Sequence, residues 1–340
     1  MTASPMTARY DVLGIGNAIV DVIARAEDDF LVAQNLVKGS MQLIDEDRAR
    51  ALFAAFGPVT HTSGGSAANT IAGLASLGAK PAFIGKVKDD DAGARFAHDI
   101  RSLDVAFPTA AAKDGPATAM CLIAVTPDGE RTMSTYLGAS QHLTPADIDR
   151  DTVEASSIVY LEGYLWDPPQ AKDAFVAAAR IAHGAGRQVA LTLSDAFCVE
   201  RYREEFIGLL RTGTVDIVFA NETELKSLYE SSDFDAAVEA LREESVLGVV
   251  TRSEKGALVV SREETLAVPA YPVETVVDST GAGDLFAAGF LFGLSQNLDL
   301  RTAAHHGALA AAHVIRQIGA RPQINLRQQA LDNGLAVSAD

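Results

Sequence analysis

The sequence predicts an α/β protein: a mostly parallel sheet between layers of helices, with a small β lid attached. Three observations carry this. Short apolar runs of strand length alternate with helical patterns through most of the 340 residues, the signature of βαβ units. Two stretches, residues 17–45 and 116–138, break that rhythm and read as β-rich insertions. Nearly half of the residues are hydrophobic (48%), enough for one large core or a large domain with a small one.

In chain order, the first strand is YDVLGIG (10–16). Residues 17–45 then alternate, in NAIVDVIARAED and KGSMQLID, and hold little helix. SAANTIAGLASLG (66–78) carries a helical pattern, and PAFIGKV (81–87) is the next strand. ATAMCLIAVT and RTMSTYLG flank Pro127-Asp128-Gly129, which is turn chemistry, so an antiparallel hairpin is expected there. SIVYLEG (157–163), QVALTLS (188–194), VDIVFA (215–220) and VLGVVT (246–251) supply further buried strands, with a helix over 171–186 between the first two. The expected body therefore comprises 1–16, 46–115 and 139–340, and the expected lid 17–45 and 116–138.

Composition excludes several classes. Acids outnumber bases 45 to 28, a net charge of −17. Nucleic acid would need a basic stripe, so it is not an expected partner. Cys121 and Cys198 are far apart and form no CxxC pair, as in a reducing cytoplasm. MTASPMTARYD has no signal-like apolar core, and Leu285–Leu294 is too short for a membrane span. The expected location is the cytoplasm, with no membrane partner. The seven histidines show no zinc-site spacing.

The most informative stretch is VVDSTGAGDLFAAGF (276–290). Gly281, Ala282 and Gly283 would expose backbone N–H groups at a helix N-terminus, a ready anion site. A plain cap by Ser279 or Thr280, with Asp284 complementing the dipole by about 0.3–1 kcal/mol, explains the acid but not three small residues in a row. No Lys follows the glycines, so this is not a Walker loop. Amides beside a carboxylate suit a hydroxyl attacking a phosphoryl group.

Three other stretches carry polar groups near glycines or strand ends. In LGIGNAIVD (13–21) the third glycine of a dinucleotide fingerprint is missing. Asn17 and Asp21 can bind a diol, or serve as a turn residue and a surface acid. In HTSGGSAANTIAG (61–73), Gly64-Gly65 with Ser66 as cap make a tight turn that would also admit a ligand, and Asn69 follows one turn in. In FANETE (219–224), Asn221 and Glu224 read either as a capping box or as a polar pair facing Mg²⁺ through water.

Together, in this order, GIGNAIVD, GGSAANTIAGLASLG, NETE, VVDSTGAGDLFAAGFLFGL and ALAAAHVIRQIGARP resemble the PfkB family of carbohydrate kinases, within the ribokinase-like superfamily, over residues 10–322. Ser279 departs mildly from the family's usual Thr. NAIVDV, KGSMQLIDED, GGSAANT, and LTLSDAF followed by VFANETE resemble its adenosine kinases most. The resemblance implies a three-layer α/β/α body with a β lid over the acceptor, ATP and Mg²⁺ as cofactors, and a monomer or homodimer. It implies transfer of the γ-phosphate to the 5′-hydroxyl of adenosine, or to a free sugar such as ribose or fructose.

The same resemblance assigns roles. Asp284 is the base, expected to stay ionised and weak, and Gly281–Gly283 the anion hole. Arg131 is expected to reach the γ-phosphate. Asn17, Asp21, Gly65, Ser66 and Asn69 would hold the sugar. Gln42, Leu137, Phe197 and either Tyr164 or Leu165 would enclose the purine. Thr251, Gly256 and His306 fall near the ATP groove, and Asn221 and Glu224 organise Mg²⁺. Asp278 is expected to belong to a monovalent-cation site, since many family members use K⁺.

Overall fold

A computed structural model describes residues 8–338; the first seven residues and the last two of the expected body lie outside them. Along the first part of the chain run β1 (Tyr10–Ile15), β2 (Ile19–Arg25), α1 (Asp28–Ala33), β3 (Met41–Leu43), α2 (Glu46–Ala55), β4 (Val59–Gly64), α3 (Ser66–Ser76), β5 (Pro81–Ile84), α4 (Asp91–Ser102), β6 (Ala119–Val125) and β7 (Arg131–Tyr136). Then follow α5 (Arg150–Glu154), β8 (Ser156–Glu162), α6 (Pro169–Gly184), β9 (Gln188–Thr192), α7 (Ala196–Arg211), β10 (Ile217–Asn221), α8 (Glu222–Leu228), α9 (Phe234–Glu243) and β11 (Leu247–Thr251). The chain ends with β12 (Ala257–Val260), β13 (Thr265–Val268), α10 (Ala282–Ser295), α11 (Leu300–Val314) and α12 (Leu326–Asp332).

The main sheet has the order β13-β12-β11-β10-β9-β8-β1-β5. β5 through β11 in that row pair in parallel, and β12 and β13 close the far edge antiparallel. Its strands are near-continuous apolar runs because both faces are covered. On β1, Val12 packs into a cluster with α3, α10 and α11, while Leu13 and Ile15 pack with α6 and α7 on the other side. Chain order reverses between β1 and β8, so a crevice opens at their carboxyl ends, the usual place for a ligand in open α/β sheets.

The second sheet has the order β3-β7-β6-β2-β4. Val20, Val22 and Ala24 of β2 are buried, and Ile19, Asp21 and Ile23 between them are only half-buried. The expected hairpin is present, with β6 and β7 antiparallel. Two features differ from the sequence reading. The sheet is mixed, because β2 pairs β6, and β3 pairs β7, in parallel. It also takes in β4, which the sequence reading left in the body. VTHTSG has no apolar run to announce a strand; backbone pairing to β2 holds it, from Val59 opposite Ala24 to Gly64 opposite Ile19. Among the described residues no helix is long and apolar enough to cross a membrane.

Candidate active site

The loop before α10 turns through Gly281, whose φ of 80° is left-handed. A Cβ there would stand 2.6 Å from the Cβ of Ala320, so the position needs both glycine's freedom and its lack of side chain. No side chain caps α10. The Ser279 or Thr280 cap is therefore not realised. The Ala282 N–H donates to the Ser279 carbonyl at 3.2 Å, and Gly283 lines an open cleft. Asp278 braces this turn, accepting from the Thr280 and Gly319 N–H groups at 2.9 Å each and pairing with Arg131 of β7. Asp278, the residue expected at a monovalent-cation site, holds a guanidinium and two amides here. Burial alone would raise its carboxyl; the hydrogen bonds and the Arg131 charge outweigh that and hold it low.

Asp284 lies in the first turn of α10. Ser66 Oγ donates to it at 2.6 Å and Asn69 Nδ2 at 3.0 Å. Both donors come from α3, which starts after Gly65 at a φ of 97°, where a Cβ would collide with the Asn17 carbonyl. The carboxyl is not the ordinary weak base expected from sequence. Burial pushes it up to about 6, against the pull of its two hydrogen bonds. Asp21, on the lid strand β2, is also pushed up to about 6 by burial, partly offset by the charges of Arg321 and Arg131.

The cleft, about 380 Å³, runs along the carboxyl ends of β9, β10 and β11. Ser66, Ala282, Gly283 and Asp284 line it, as do Thr251, Ser253 and Gly256. Ala308, Ala311, Ala312 and Ile315 give it an apolar flank. Asn221 and Glu224 line it too. They also form a full capping box: Asn221 Oδ1 accepts from the Glu224 N–H at 2.9 Å, and Glu224 accepts from Asn221 N at 3.0 Å and Nδ2 at 2.6 Å. The two sequence readings of this pair are thus compatible. Burial pushes Glu224 up to about 7.

Several expected residues lie elsewhere. His306 is fully buried on the α10 side of α11; its Nε2 is 2.7 Å from the Ala336 carbonyl and its ring meets Phe292 edge-on. It packs helices and does not line the cleft. Leu165 is 1% exposed in the core on the α6–α7 side, so it is not the purine-facing residue of its pair. Tyr164 is 36% exposed and donates its N–H to Ser194 Oγ at 3.1 Å, and Ser194 lines the cleft. Gln42 Nε2 donates to Ser134 Oγ within the lid sheet at 3.3 Å. Leu137 follows β7, half-buried, and Phe197 is 69% exposed beneath the Arg201 guanidinium.

Two residues went unnoticed in the sequence. Glu162, at the carboxyl end of β8, is 1% exposed. It is the one acid in SIVYLEG, a sequence signal of a buried charge at a strand's end. Arg321 donates its Nε–H to Asn69 Oδ1 at 3.4 Å and keeps a buried Nη2 without a partner among the described residues. Nothing local in GARP signals this; it follows from Ala320 packing on Gly281.

The family model described as pfkB family carbohydrate kinase matches residues 34–326. The crystal structure of adenosine kinase from Sinorhizobium meliloti superposes with a TM-score of 0.89 at 54% identity, covering 96% of this chain and all of that one. An adenosine kinase of Saccharomyces cerevisiae is 29% identical over 92% of this chain and 96% of its own length. An ATP-dependent ribose-1-phosphate kinase of Halopiger xanaduensis is 30% identical over 76% of this chain and 82% of its own. With a carboxyl beside the uncapped start of α10 in a cleft at the carboxyl ends of the main sheet, and a family match over most of its length, this chain belongs to the pfkB family of carbohydrate kinases.

Proposed function

We propose that the protein is an ATP-dependent nucleoside kinase that transfers the γ-phosphate to the 5′-hydroxyl of adenosine. One observation carries the chemistry: a half-buried carboxylate, Asp284, adjoins the uncapped start of α10 in the cleft. The 54% identity to the Sinorhizobium adenosine kinase supports the acceptor. MgATP lies along the cleft with its base toward the α11 flank and its γ-phosphate at Gly283. Asp284, oriented by Ser66 and Asn69, takes the hydroxyl proton while the amides of Gly281–Gly283 meet the developing charge. Asn17, Asp21, Gly65 and Asn69 hold the sugar, and Gln42, Leu137, Tyr164 and Phe197 enclose the purine. Arg131 exchanges Asp278 for the phosphate as the lid closes and excludes water.

Among the described residues no cluster of three or more His, Cys, Asp or Glu could hold a metal ion. Mg²⁺ keeps most of its waters and binds through phosphates and one or two carboxylates. Here Glu224 and Asn221 would hold that hydrated ion, which neutralises charge on the phosphates. Asn221→Ala and Glu224→Ala are expected to raise the Mg²⁺ concentration for half-maximal turnover by about tenfold or more, and to lower stability by about 1 kcal/mol through the lost cap. An unchanged Mg²⁺ titration in a folded variant would assign the pair to capping alone.

The deciding experiment is ATP turnover with Mg²⁺, with and without K⁺, against adenosine, inosine, guanosine, cytidine, ribose and fructose. Adenosine should be turned over best. Turnover with a free sugar only would keep the phosphoryl chemistry and discard the nucleoside.

A further inference from the structure

We infer that Glu162 is a positioning residue that fixes the Asn17 amide, so that Asn17 meets the phosphoryl acceptor only as a hydrogen-bond acceptor for one sugar hydroxyl. The inference rests on the kinase reading above and deepens it.

Glu162 ends β8 at the point where chain order reverses, and it is almost wholly buried. A carboxylate so placed needs donors. It has three: Asn17 Nδ2 at 2.6 Å, the Ala67 N–H at 2.9 Å and the Asn17 N–H at 3.3 Å. Asn17 is where the chain leaves β1 for the lid, and Ala67 lies just after it returns through β4. One carboxylate thus ties both crossings to the body sheet. Gly16 is part of the fit, since a Cβ there would collide with Glu162 Oε2 and with Ala67.

An ionised carboxylate only accepts, so Asn17 must turn Nδ2 toward it. Oδ1 then faces the other way. It is buried and has no partner among the described residues. A buried carbonyl oxygen left unpaired calls for a donor from outside the fold, and the donor the acceptor's sugar can supply is a hydroxyl. With Glu162 in place, Asn17 cannot flip to offer its NH₂ instead.

The test uses the full chain at pH 8. Burial pushes the Glu162 carboxyl up to about 7, so it is ionised there. Glu162→Gln places an NH₂ opposite Asn17 and turns the amide over. The acceptor KM should rise by about tenfold or more, with the ATP KM unchanged and kcat falling by less. One deoxy form of the acceptor, 2′ or 3′, lacks the contacted hydroxyl; for it, wild type and Glu162→Gln should have equal KM. The double variant Asn17→Asp with Glu162→Gln restores an acceptor at the same place and should regain the wild-type preference for the hydroxyl. A KM unchanged in Glu162→Gln, or raised equally for the acceptor and both deoxy forms, overturns the inference. So does a double variant that fails to regain the preference, folded or not. The acceptor is whichever compound wild type turns over. Silence with adenosine would therefore count against the nucleoside reading, while the hydroxyl comparison proceeds on the sugar used.

Discussion

Replacing Asp284 by Asn is expected to cut turnover by about 10²–10⁴-fold or more while leaving the protein folded. The amide is isosteric and can still accept from Ser66 or Asn69, so what is lost is the proton acceptor. Stability should not fall. The carboxyl is pushed up to about 6 in the folded chain and would titrate near 4 unfolded. A group raised in this way favours folding below pH 4 and loses that contribution as pH rises through 6. At pH 8 the desolvated charge thus costs roughly 3 kcal/mol, and neutralising it by mutation removes that cost. The melting temperature of the variant at pH 8 should equal or exceed that of wild type. The same titration sets the acid limb of the rate. The base must be unprotonated, so kcat/KM should fall as pH drops through about 6, two units above an ordinary carboxylate. Asp21 titrates in the same window, so the limb approaches a two-proton slope where Asp21 must be ionised to hold the sugar. Asp21→Asn separates the two. A folded Asp284→Asn with near-normal turnover, or an acid limb that begins near pH 4, would remove Asp284 from the role of base.

The fold was legible where burial on both faces wrote itself into the chain. β1, β8, β9, β10 and β11 are near-continuous apolar runs, and each could be recognised as a strand without knowing its partners. β4 was not legible, because a polar edge strand holds its place by backbone pairing, which periodicity does not report. In the site, the residues that were found lie on local motifs: a glycine turn feeding a helix, a capping box, a tight turn before α3. Glu162 and Arg321 act on partners 145 and 252 positions away, and no local pattern encodes such distances. His306 failed for the opposite reason. Its neighbourhood in sequence is the cleft-lining helix, but helical geometry turns it toward α10, and a shift of one face is invisible without the packing. The raised pKa of Asp284 likewise comes from desolvation in the assembled fold; the helix N-terminus alone predicts a lower one.

Gly283→Ala should separate fold from function more cleanly than any change at Gly281. At Gly283 an added Cβ meets nothing within 4 Å and the φ is not left-handed. Alanine in a helix is favoured over glycine by roughly 0.5–1 kcal/mol, so the variant should be as stable as wild type or more so. Yet the methyl projects from a residue that lines the cleft, beside the N–H on which the transferring phosphoryl group is proposed to rest. The N–H itself is kept, but with the methyl holding the phosphoryl group off it, turnover should fall by about 10²-fold or more, as when one such donor is lost. Gly281→Ala meets the opposite conditions. Its left-handed φ costs an L-residue about 1–2 kcal/mol, and the new Cβ overlaps Ala320. Turnover there should fall together with the melting temperature, because displacing Ala320 also moves Arg321 off Asn69, one of the two donors that orient Asp284. Loss of activity at Gly281 alone could be read as misfolding. Loss at Gly283 with stability kept could not, since only occupation of the phosphoryl site connects a harmless methyl to the chemistry. Normal turnover in Gly283→Ala would place the transferring group elsewhere in the cleft and leave the glycine turn a purely structural feature.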